Sequence, residues 1–322
     1  MNLVTISDLA NTLHLEVVTP DADLNRTISK TFVNRPGMEL MGFDDYFLSE
    51  AKARIQLIGT KEWHFLTSLP DKLLRSHVSV IFNSATPAII FANSYEVPSV
   101  LIDLSRETGV PILRSRLRTS AIFATVFNFL QEELAHTESF HGVLVDVNGI
   151  GVLITGKSSI GKSETALELI RRGHQLIADD RVDIYEKEVG MLIGRAPDIL
   201  KKFIEIRGIG IINVVEMFGA GAYRNKKRIT LVVELEDWSS DSLYNRIGLA
   251  SETQRFFETE IAKITIPVKT GRSIVSLIEV AAMNHRLKLM GYHAAEDFAN
   301  QLDQFIASKS ADNEFELNIN KS

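Results

Sequence analysis

Near the middle of the chain stands Gly156-Lys157-Ser158-Ser159-Ile160-Gly161-Lys162-Ser163, which fits the phosphate-binding P-loop pattern G-x-x-x-x-G-K-[ST]. The β-branched run before it predicts a strand, and residues 164–172 predict a helix that Gly173 ends. When a strand, a glycine loop and a helix follow one another, the backbone N–H groups of the loop and the N-terminus of the helix converge on a phosphate chain. The flanks argue against a chance match in a Gly/Ser turn. The stretch predicts that Lys162 contacts the β- and γ-phosphates and that the Ser163 hydroxyl contacts Mg²⁺.

The composition narrows the class of protein. The chain has 322 residues, of which 45% are hydrophobic, and a formal net charge of −6, as expected for a globular protein with two domains. Its runs of Lys and Arg are too short to form a nucleic-acid footprint, so we expect no nucleic-acid partner. Cysteine is absent, which excludes disulfides, thiolate metal sites and a cysteine nucleophile. Without a secretory signal or an apolar stretch of membrane-spanning length, a cytoplasmic location away from the membrane is expected.

The first half of the chain has the pattern of an α/β sheet. Strands are expected at 53–58, 88–92 and 110–114, and helices begin near 60 and 98. This alternation predicts βαβ units and a parallel sheet. A first helix is expected from Val4 to Leu13 with Ser7 as its N-cap. His64 and His77 are isolated and are interpreted as surface or packed side chains.

The boundary between the two halves is expected where the helical spacing of apolar residues stops. The helical pattern of 120–134 is followed by polar residues 135–139 without a period. We therefore expect an N-terminal α/β domain over 1–132, a C-terminal domain over 133–312 and a disordered tail over 313–322.

Two hairpins are expected in the second half. Asn148-Gly149 between two apolar runs is a type I′ turn signal, so the P-loop strand should pair antiparallel with its predecessor. A second hairpin is expected over 183–194, followed by a short helix with Pro197 at its first position. Further strands are expected at 231–235 and 264–268, and a helix from about Ser273 to Met290.

Three groups of charged residues stand where a phosphate site needs them. Asp179 and Asp180 end a strand after the P-loop helix, where a metal ligand and a base are expected; a solvated turn is the alternative. Glu205 and Arg207 interrupt an apolar run, which suggests an ion or partner rather than an ordinary surface strand. Cations at 269–272 precede a helix, which suggests an anion there instead of plain solvation.

The chain resembles the HPr kinase/phosphorylase family of bacterial enzymes. In the second half the resemblance rests on His141-Gly142-Val143, Gly161-Lys162-Ser163-Glu164, Ala178-Asp179-Asp180-Arg181-Val182-Asp183, Glu205-Ile206-Arg207-Gly208-Ile209-Gly210-Ile211-Ile212, Ile266-Pro267-Val268-Lys269-Thr270-Gly271-Arg272-Ser273 and Ala281-Ala282-Met283-Asn284-His285-Arg286. In the first half it rests loosely on Arg35-Pro36-Gly37 and Thr86-Pro87-Ala88-Ile89-Ile90.

The resemblance implies a fold and an activity. The C-terminal half would be a P-loop kinase domain related to phosphoenolpyruvate carboxykinases, the N-terminal half an α/β domain of uncertain role, and the assembly a homohexamer. The reaction would be phosphorylation of one serine on the carrier protein HPr by ATP or pyrophosphate with Mg²⁺. The same site would run the reverse phosphorolysis, in which inorganic phosphate takes the phosphoryl group from the serine and pyrophosphate is released.

The resemblance also implies roles for single residues. The catalytic positions would be His141, Lys162, Asp180 and Arg246. Ser163 and Glu205 would hold Mg²⁺. Asp180 would take the seryl proton and return it in reverse, and Asp179 would raise the proton affinity of one of the pair by like-charge repulsion. Residues 204–213, which include Arg207, would be important for both phosphorylation and dephosphorylation. The segment tied to dephosphorylation comprises Pro267, Val268, Lys269, Thr270, Gly271 and Arg272.

Three positions depart from the family pattern. Lys157 and Ser159 stand where the family usually has an acidic residue and a glycine, and Asn213 where an aspartate is common. Lys157 would add positive charge beside the phosphates, and a positive φ at Ser159 would cost free energy. These changes bear on the balance of the two activities. A nucleotide-dependent switch and a small-molecule kinase of the carboxykinase type are the alternative functions.

Overall fold

The structure is a computed structural model that describes residues 3–42, 49–238, 252–269, 271–304 and 306. The chain forms two compact units, Met1–His136 and Thr137–Ser322. Among the described residues, no helix has the length and apolar character needed to cross a membrane.

The N-terminal unit contains a five-stranded sheet in the order β2-β7-β6-β5-β4. Strands β4 to β7 are parallel neighbours, and β2 joins β7 antiparallel. The predicted parallel sheet is therefore confirmed. A separate antiparallel pair joins β1 and β3. The strands are β1 (Val4–Thr5), β2 (Glu16–Val17), β3 (Thr27–Ile28), β4 (Val33–Asn34), β5 (Ile55–Ile58), β6 (Ile89–Phe91) and β7 (Ile112–Arg114).

Helices cover both faces of this sheet. Because strand side chains alternate between faces, Leu57, Ile90 and Leu113 share one core with α1 and α6. Ile58, Ile89 and Ile112 share the opposite core with α3, α4 and α5. The helices are α1 (Ile6–Thr12), α2 (Ser49–Lys52), α3 (Thr60–Thr67), α4 (Asp71–Val78), α5 (Ser99–Thr108) and α6 (Thr119–Glu133).

The predicted N-cap of the first helix is wrong. Thr5 caps α1, since its hydroxyl accepts from the Asp8 backbone N–H at 3.1 Å. The Asp8 carboxylate accepts in return from the Thr5 backbone N–H at 3.0 Å. This reciprocal capping box satisfies two backbone donors, which Ser7 inside the first turn cannot do.

The C-terminal unit contains a nine-stranded sheet built around a long central strand, β16. On one side β16 is parallel to β10; on the other it pairs antiparallel with β13 near its start and parallel with β18 further along. The strands are β8 (Thr137–His141), β9 (Val143–Val147), β10 (Ile150–Gly156), β11 (Gln175–Ala178), β12 (Arg181–Glu188), β13 (Met191–Arg195), β14 (Phe203–Ile206), β15 (Gly210–Asn213), β16 (Lys226–Asp237), β17 (Glu252–Phe256) and β18 (Thr259–Val268).

Helices α7 (Lys162–Arg171) and α9 (Ile274–Leu289) pack on one face of this sheet, and α8 (Val214–Phe218) follows β15. Residues 294–304 are also helical. Leu169 of α7 and Ile278 of α9 share a core with Ile154 of β10. This packing fixes the P-loop helix against the strand that precedes the loop.

Both predicted hairpins are confirmed. β9 and β10 pair antiparallel, and their turn has Asn148 at φ 50° and Gly149 at φ 90°, as a type I′ turn requires. β12 and β13 form the second hairpin. The P-loop strand β10 thus has an antiparallel neighbour on one side and a parallel neighbour, β16, on the other.

One local expectation in this half is wrong, and two further segments have structure that the sequence pattern did not predict. The polar residues 137–141 form β8, which pairs antiparallel with β12; this edge strand has no apolar alternation because both its faces are largely exposed. Pro197 is not the first residue of a helix but the extended N-cap of a 3₁₀ turn, Asp198–Leu200. The apolar run after residue 203 is a two-stranded hairpin, β14-β15, with exposed charges rather than one strand.

Candidate active site

The P-loop begins where β10 ends. Gly156 lies in register with Leu235 of β16 and has φ 136°. A Cβ atom on Gly156 would come within 2.5 Å of the Leu235 carbonyl oxygen, so only glycine fits. Gly161 has φ 99° and is the N-cap of α7. These two glycines let the chain turn sharply and present the N-terminus of α7 to the loop.

Lys162 is the first residue of α7 and is only 7% exposed. Its ammonium donates to the carbonyl oxygens of Gly156 at 2.9 Å and Lys157 at 3.0 Å. Burial lowers the pKa of Lys162, and the carboxylates of Asp180 and Asp179 partly oppose that shift. The buried cation therefore lies inside the loop, where an incoming phosphate chain would meet it.

Asp179 connects the loop helix to the neighbouring strands. The Ser163 hydroxyl donates to one carboxylate oxygen at 2.8 Å, and the Glu205 backbone N–H donates to the other at 2.9 Å. The side chain is 4% exposed. Burial raises the pKa of Asp179; these hydrogen bonds oppose the shift, and the charge of Asp180 adds to it by less. The like-charge repulsion expected from the sequence is thus a secondary cause.

Asp180 lies beside His141 at the edge of the same sheet. The His141 Nδ1 atom is 3.1 Å from the Asp180 carboxylate and 3.0 Å from the Asp180 carbonyl oxygen. The backbone N–H of Gly142 donates to that carbonyl at 3.1 Å. Asp180 has φ 64°, and its side chain is 67% exposed. Strand β8 therefore holds the imidazole against a carboxylate that faces solvent.

The β14-β15 hairpin reaches the P-loop from the other side. The Arg207 guanidinium donates to the Ser159 hydroxyl at 2.5 Å and to the Ser158 hydroxyl at 3.5 Å. Ser159 has φ 73°, the left-handed conformation in which serine is less stable than glycine. Arg207 thus fixes the conformation of the loop and adds a cation beside it.

One cleft collects ten of the site residues that the sequence singled out. Val143 and Glu164 also line it, and Glu164 could have been recognised as the acidic residue in the first turn of α7. The predicted site residues in its lining are His141, Ser158, Ser159, Gly161, Lys162, Ser163, Asp179, Asp180, Glu205 and Arg207.

Pro267 and Val268 lie at the same edge of the sheet as the P-loop but do not line the cleft. Gly156, Leu235 and Ile266 are in register across β10, β16 and β18, so Pro267 and Val268 follow at the edge where the P-loop begins. The Lys269 ammonium lies 4.6 Å from the centroid of the Trp238 ring, a cation–π contact. In the described part of this segment, including Gly271 and Arg272, none of the residues lines the cleft.

Two predicted residues lie outside the described part of the chain. These are Arg246, between β16 and β17, and Thr270. Besides Ser159, the other two departures from the family pattern also lie in the described part of the chain. The Lys157 ammonium is 3.5 Å from the Asp237 carboxylate at the surface. The Asn213 side chain caps α8 by accepting from the backbone N–H groups of Val215 and Glu216, which an aspartate would also do.

The cleft has oxygen ligands suited to Mg²⁺. The described residues contain no cluster of three or more His, Cys, Asp or Glu side chains able to hold a metal. Mg²⁺ does not need one, since it is commonly bound by one or two carboxylates together with substrate phosphates and water. The hydroxyl of Ser163 and the carboxylates of Asp179 and Glu205 fit that requirement.

Comparisons with known proteins identify the family. Residues 4–130 match the HPr serine kinase N terminus, and residues 132–302 match the HPr serine kinase C-terminal domain. The chain is 46% identical to the HPr kinase/phosphorylase of Bacillus velezensis over 312 residues, which cover 97% of this chain and 100% of that protein. It is also 46% identical to the Bacillus subtilis protein of the same name over 306 residues, 95% of this chain and 98% of that one.

A solved structure, the HPr(Ser) kinase/phosphatase from Coxiella burnetii, is 37% identical with a TM-score of 0.46, covering 50% of this chain and 98% of that chain. From the two domain matches and the near full-length identity, the chain belongs to the HPr kinase/phosphorylase family.

Proposed function

We propose that this member of the HPr kinase/phosphorylase family transfers a phosphoryl group from ATP or pyrophosphate to a serine of HPr. In reverse, it transfers the phosphoryl group from phosphoserine to inorganic phosphate and releases pyrophosphate. The observation that carries the proposal is the position of Asp180, whose exposed carboxylate lines the same cleft as Lys162 and Ser163. A site that only binds nucleotide needs no exposed carboxylate beside the phosphates.

The phosphoryl donor would bind along the P-loop. The N-terminus of α7 and the ammonium of Lys162 stabilise negative charge on the phosphates, and Arg207 adds a second cation. ATP and pyrophosphate both end in a diphosphate unit, so one loop can hold either. Lys162 would exchange its two carbonyl partners for phosphate oxygens.

Mg²⁺ would bind to Ser163, with Asp179 and Glu205 completing the protein's share of the ligands. The ion would neutralise charge on the phosphates of the donor. Asp179 already orients the Ser163 hydroxyl and receives the Glu205 backbone N–H. These contacts fix the Ser163 hydroxyl and the Glu205 backbone relative to Asp179 before any substrate binds.

Asp180 would accept the proton of the attacking seryl hydroxyl and return it to the serine oxygen in the reverse reaction. His141 positions that carboxylate through the 3.1 Å contact at Nδ1. Because Asp180 is exposed, a serine presented on the surface of another protein can reach it. Arg246, which lies outside the described residues, is proposed to balance charge on the transferred group, and residues 267–272 are proposed to bind phosphate in the reverse direction.

The hairpin that carries Glu205 and Arg207 also presents an apolar surface. Ile209 is 73% exposed and Ile211 is 75% exposed. Exposed apolar side chains beside a polar site are typical of protein-binding surfaces. We assign this surface to contact with HPr, since it borders the cleft in which the acceptor serine must lie.

A second apolar surface supports self-association. Along α9, a stripe of exposed apolar side chains follows helical spacing and comprises Val280, Met283, Leu287 and Met290. A helix face of this kind is usually covered by another protein surface. We propose that other copies of the chain cover it in a homohexamer.

The direct test is to incubate the chain with γ-labelled ATP, Mg²⁺ and purified HPr, and to map any labelled residue. We expect label on one HPr serine and its release as pyrophosphate when inorganic phosphate is added. ATP binding without labelled HPr would favour a nucleotide-dependent switch and remove the proposal.

A further inference from the structure

Ser159 is a strained residue in the middle of the P-loop. Its φ is 73°, a left-handed conformation that glycine adopts without cost and serine does not. A residue persists in such a conformation only where the surrounding structure offsets the cost, and such residues gather at functional sites. Compared with glycine, serine adds only a hydroxyl group on one carbon atom. The contacts of that hydroxyl therefore show what the serine contributes.

The Ser159 hydroxyl accepts a hydrogen bond from Arg207. The Arg207 Nη1 atom is 2.5 Å from the Ser159 Oγ atom, whereas the Nη2 atom is 3.5 Å from the Ser158 Oγ atom. The first contact is short, and the second is at the limit for a hydrogen bond. Ser159 is thus the main anchor of the guanidinium on the loop.

Arg207 needs an anchor because it is exposed near the tip of the β14-β15 hairpin. The hairpin backbone is fixed two residues earlier, where the Glu205 N–H donates to the Asp179 carboxylate at 2.9 Å. Beyond that point the long arginine side chain has several rotatable bonds, and holding it in one place costs conformational entropy. The contact with Ser159 orders the guanidinium before a ligand arrives, so that ligand binding does not have to do so.

Lys157, the other departure from the family pattern in this loop, points elsewhere. Its ammonium lies 3.5 Å from the Asp237 carboxylate, and Lys157 is not among the residues that line the cleft. Ser159 and Arg207 both line it. The cation that faces the middle of the loop from the hairpin is therefore Arg207, and Ser159 determines where its charge lies.

This position matters because two phosphoryl donors differ there. The backbone of a P-loop surrounds the phosphates behind the transferred group, while the lysine reaches the terminal one. In ATP the phosphate next to the transferred group is linked on both sides. In pyrophosphate it is a free end, with one more unlinked oxygen and more negative charge at neutral pH. A guanidinium held in the middle of the loop, with further N–H groups to donate, therefore interacts more strongly with pyrophosphate.

We propose that Ser159 is a positioning residue that holds Arg207 where it shifts the preference of the site from ATP towards pyrophosphate. The inference rests on the function proposed above, because it concerns the phosphoryl donor of that same site. The Ser159 hydroxyl acts through Arg207 and not on the transferred group itself. The same arrangement stabilises pyrophosphate when it is the product of the reverse reaction.

The test is calorimetry on the full-length chain at one fixed Mg²⁺ concentration, with pyrophosphate or a non-hydrolysable ATP analogue as the ligand. We expect Ser159→Gly to raise the Kd of pyrophosphate about three- to tenfold, since binding must then order one arginine side chain. The Kd of the ATP analogue should change by less than about twofold. Lys157→Ala is the matched control, because it changes the same loop at a side chain outside the cleft lining. It should leave the ratio of the two Kd values unchanged.

A double-mutant cycle with Arg207→Gln separates positioning from a general effect on the loop. Arg207→Gln should raise the Kd of pyrophosphate at least as much, and adding Ser159→Gly to it should not change the ratio of the two Kd values further. Three results would each overturn the inference: equal weakening of both ligands by Ser159→Gly, an undiminished effect of Ser159→Gly in the Arg207→Gln chain, or the same change of ratio in Lys157→Ala.

Failure of the proposed function gives different results. If neither ligand binds the unmodified chain, the proposed function and the role of Ser159 both fail. If both ligands bind but HPr is not labelled, only the proposed function fails, and the ratio of the two Kd values still tests Ser159.

Discussion

The Ser163 hydroxyl donates a 2.8 Å hydrogen bond to the Asp179 carboxylate and joins the first turn of α7 to the end of β11. Sixteen positions separate these residues in sequence. The backbone N–H of Glu205 donates to the same carboxylate. Asp179 thus holds three segments of the cleft together, and its charge lies where the proposed Mg²⁺ would bind.

Asp179→Asn should weaken the affinity of the cleft for Mg²⁺. The amide can still accept from Ser163, but it lacks the negative charge that Mg²⁺ requires. We expect the Mg²⁺ concentration for half-maximal labelling of HPr to rise about 10–100-fold. Asp198→Asn, which removes a carboxylate that does not line the cleft, is the control. An unchanged Mg²⁺ titration in Asp179→Asn would exclude Asp179 as a ligand.

Lys162→Met should abolish transfer and stabilise the ligand-free protein near pH 7. Burial holds the pKa of Lys162 below its ordinary value of 10.5, so the folded state loses stability as the pH falls through the lowered pKa and the amine takes up its proton. Removing the charge should raise the melting temperature of the ligand-free chain at pH 7, because the buried site no longer holds a proton that burial disfavours. The gain should shrink above pH 10.5. A lower melting temperature at pH 7 would contradict this account.

Gly156→Ala should destabilise the C-terminal unit and abolish nucleotide binding. Its Cβ atom would come 2.5 Å from the Leu235 carbonyl oxygen, and its φ of 136° is unfavourable for alanine. We expect a loss of about 3 kcal/mol in the free energy of unfolding, because an overpacking cost of about 1–3 kcal/mol adds to the strain of the positive φ. Gly190→Ala controls for backbone strain alone, because its φ is 87° but it has open space around it. That control should cost only about 1–2 kcal/mol, and equal losses would rule out the collision.

Much of this architecture is predictable because local signals agree with it. The P-loop has its glycines, strand and helix in consecutive sequence, and Asn148-Gly149 defines the hairpin before it. The carboxylates at 179–180 follow a buried strand beside that helix, so their place in the cleft could be predicted.

Other features depend on contacts between distant segments. The Arg207 contact with Ser159 spans 48 positions and follows from the packing of the β14-β15 hairpin on the loop. Strand β8 has no apolar period because pairing with β12, rather than burial of its side chains, stabilises it. In the N-terminal unit, α5 and α6 pack on opposite faces of the sheet, which no motif records.

Met283→Glu should dissociate the proposed homohexamer. It places a charge in the middle of the exposed apolar stripe of α9, where burial against another copy would be costly. Light scattering after size-exclusion chromatography should show smaller species than for the unmodified chain. Lys288→Glu introduces the same carboxylate on the same helix away from the stripe and should leave the mass unchanged. A hexamer that survives Met283→Glu would remove this face from the interface.

The central claim is that Asp180 is the base for the acceptor serine, and Asp180→Asn tests it most directly. The measurement is kcat for labelling of HPr together with the Kd of ATP for the same variant. We predict that kcat falls by about 10²–10⁴-fold, whereas the Kd of ATP stays within about threefold because Asp180 does not hold the donor. Asp183→Asn, three positions along and outside the cleft lining, should retain transfer. Near-normal kcat in Asp180→Asn would contradict the account.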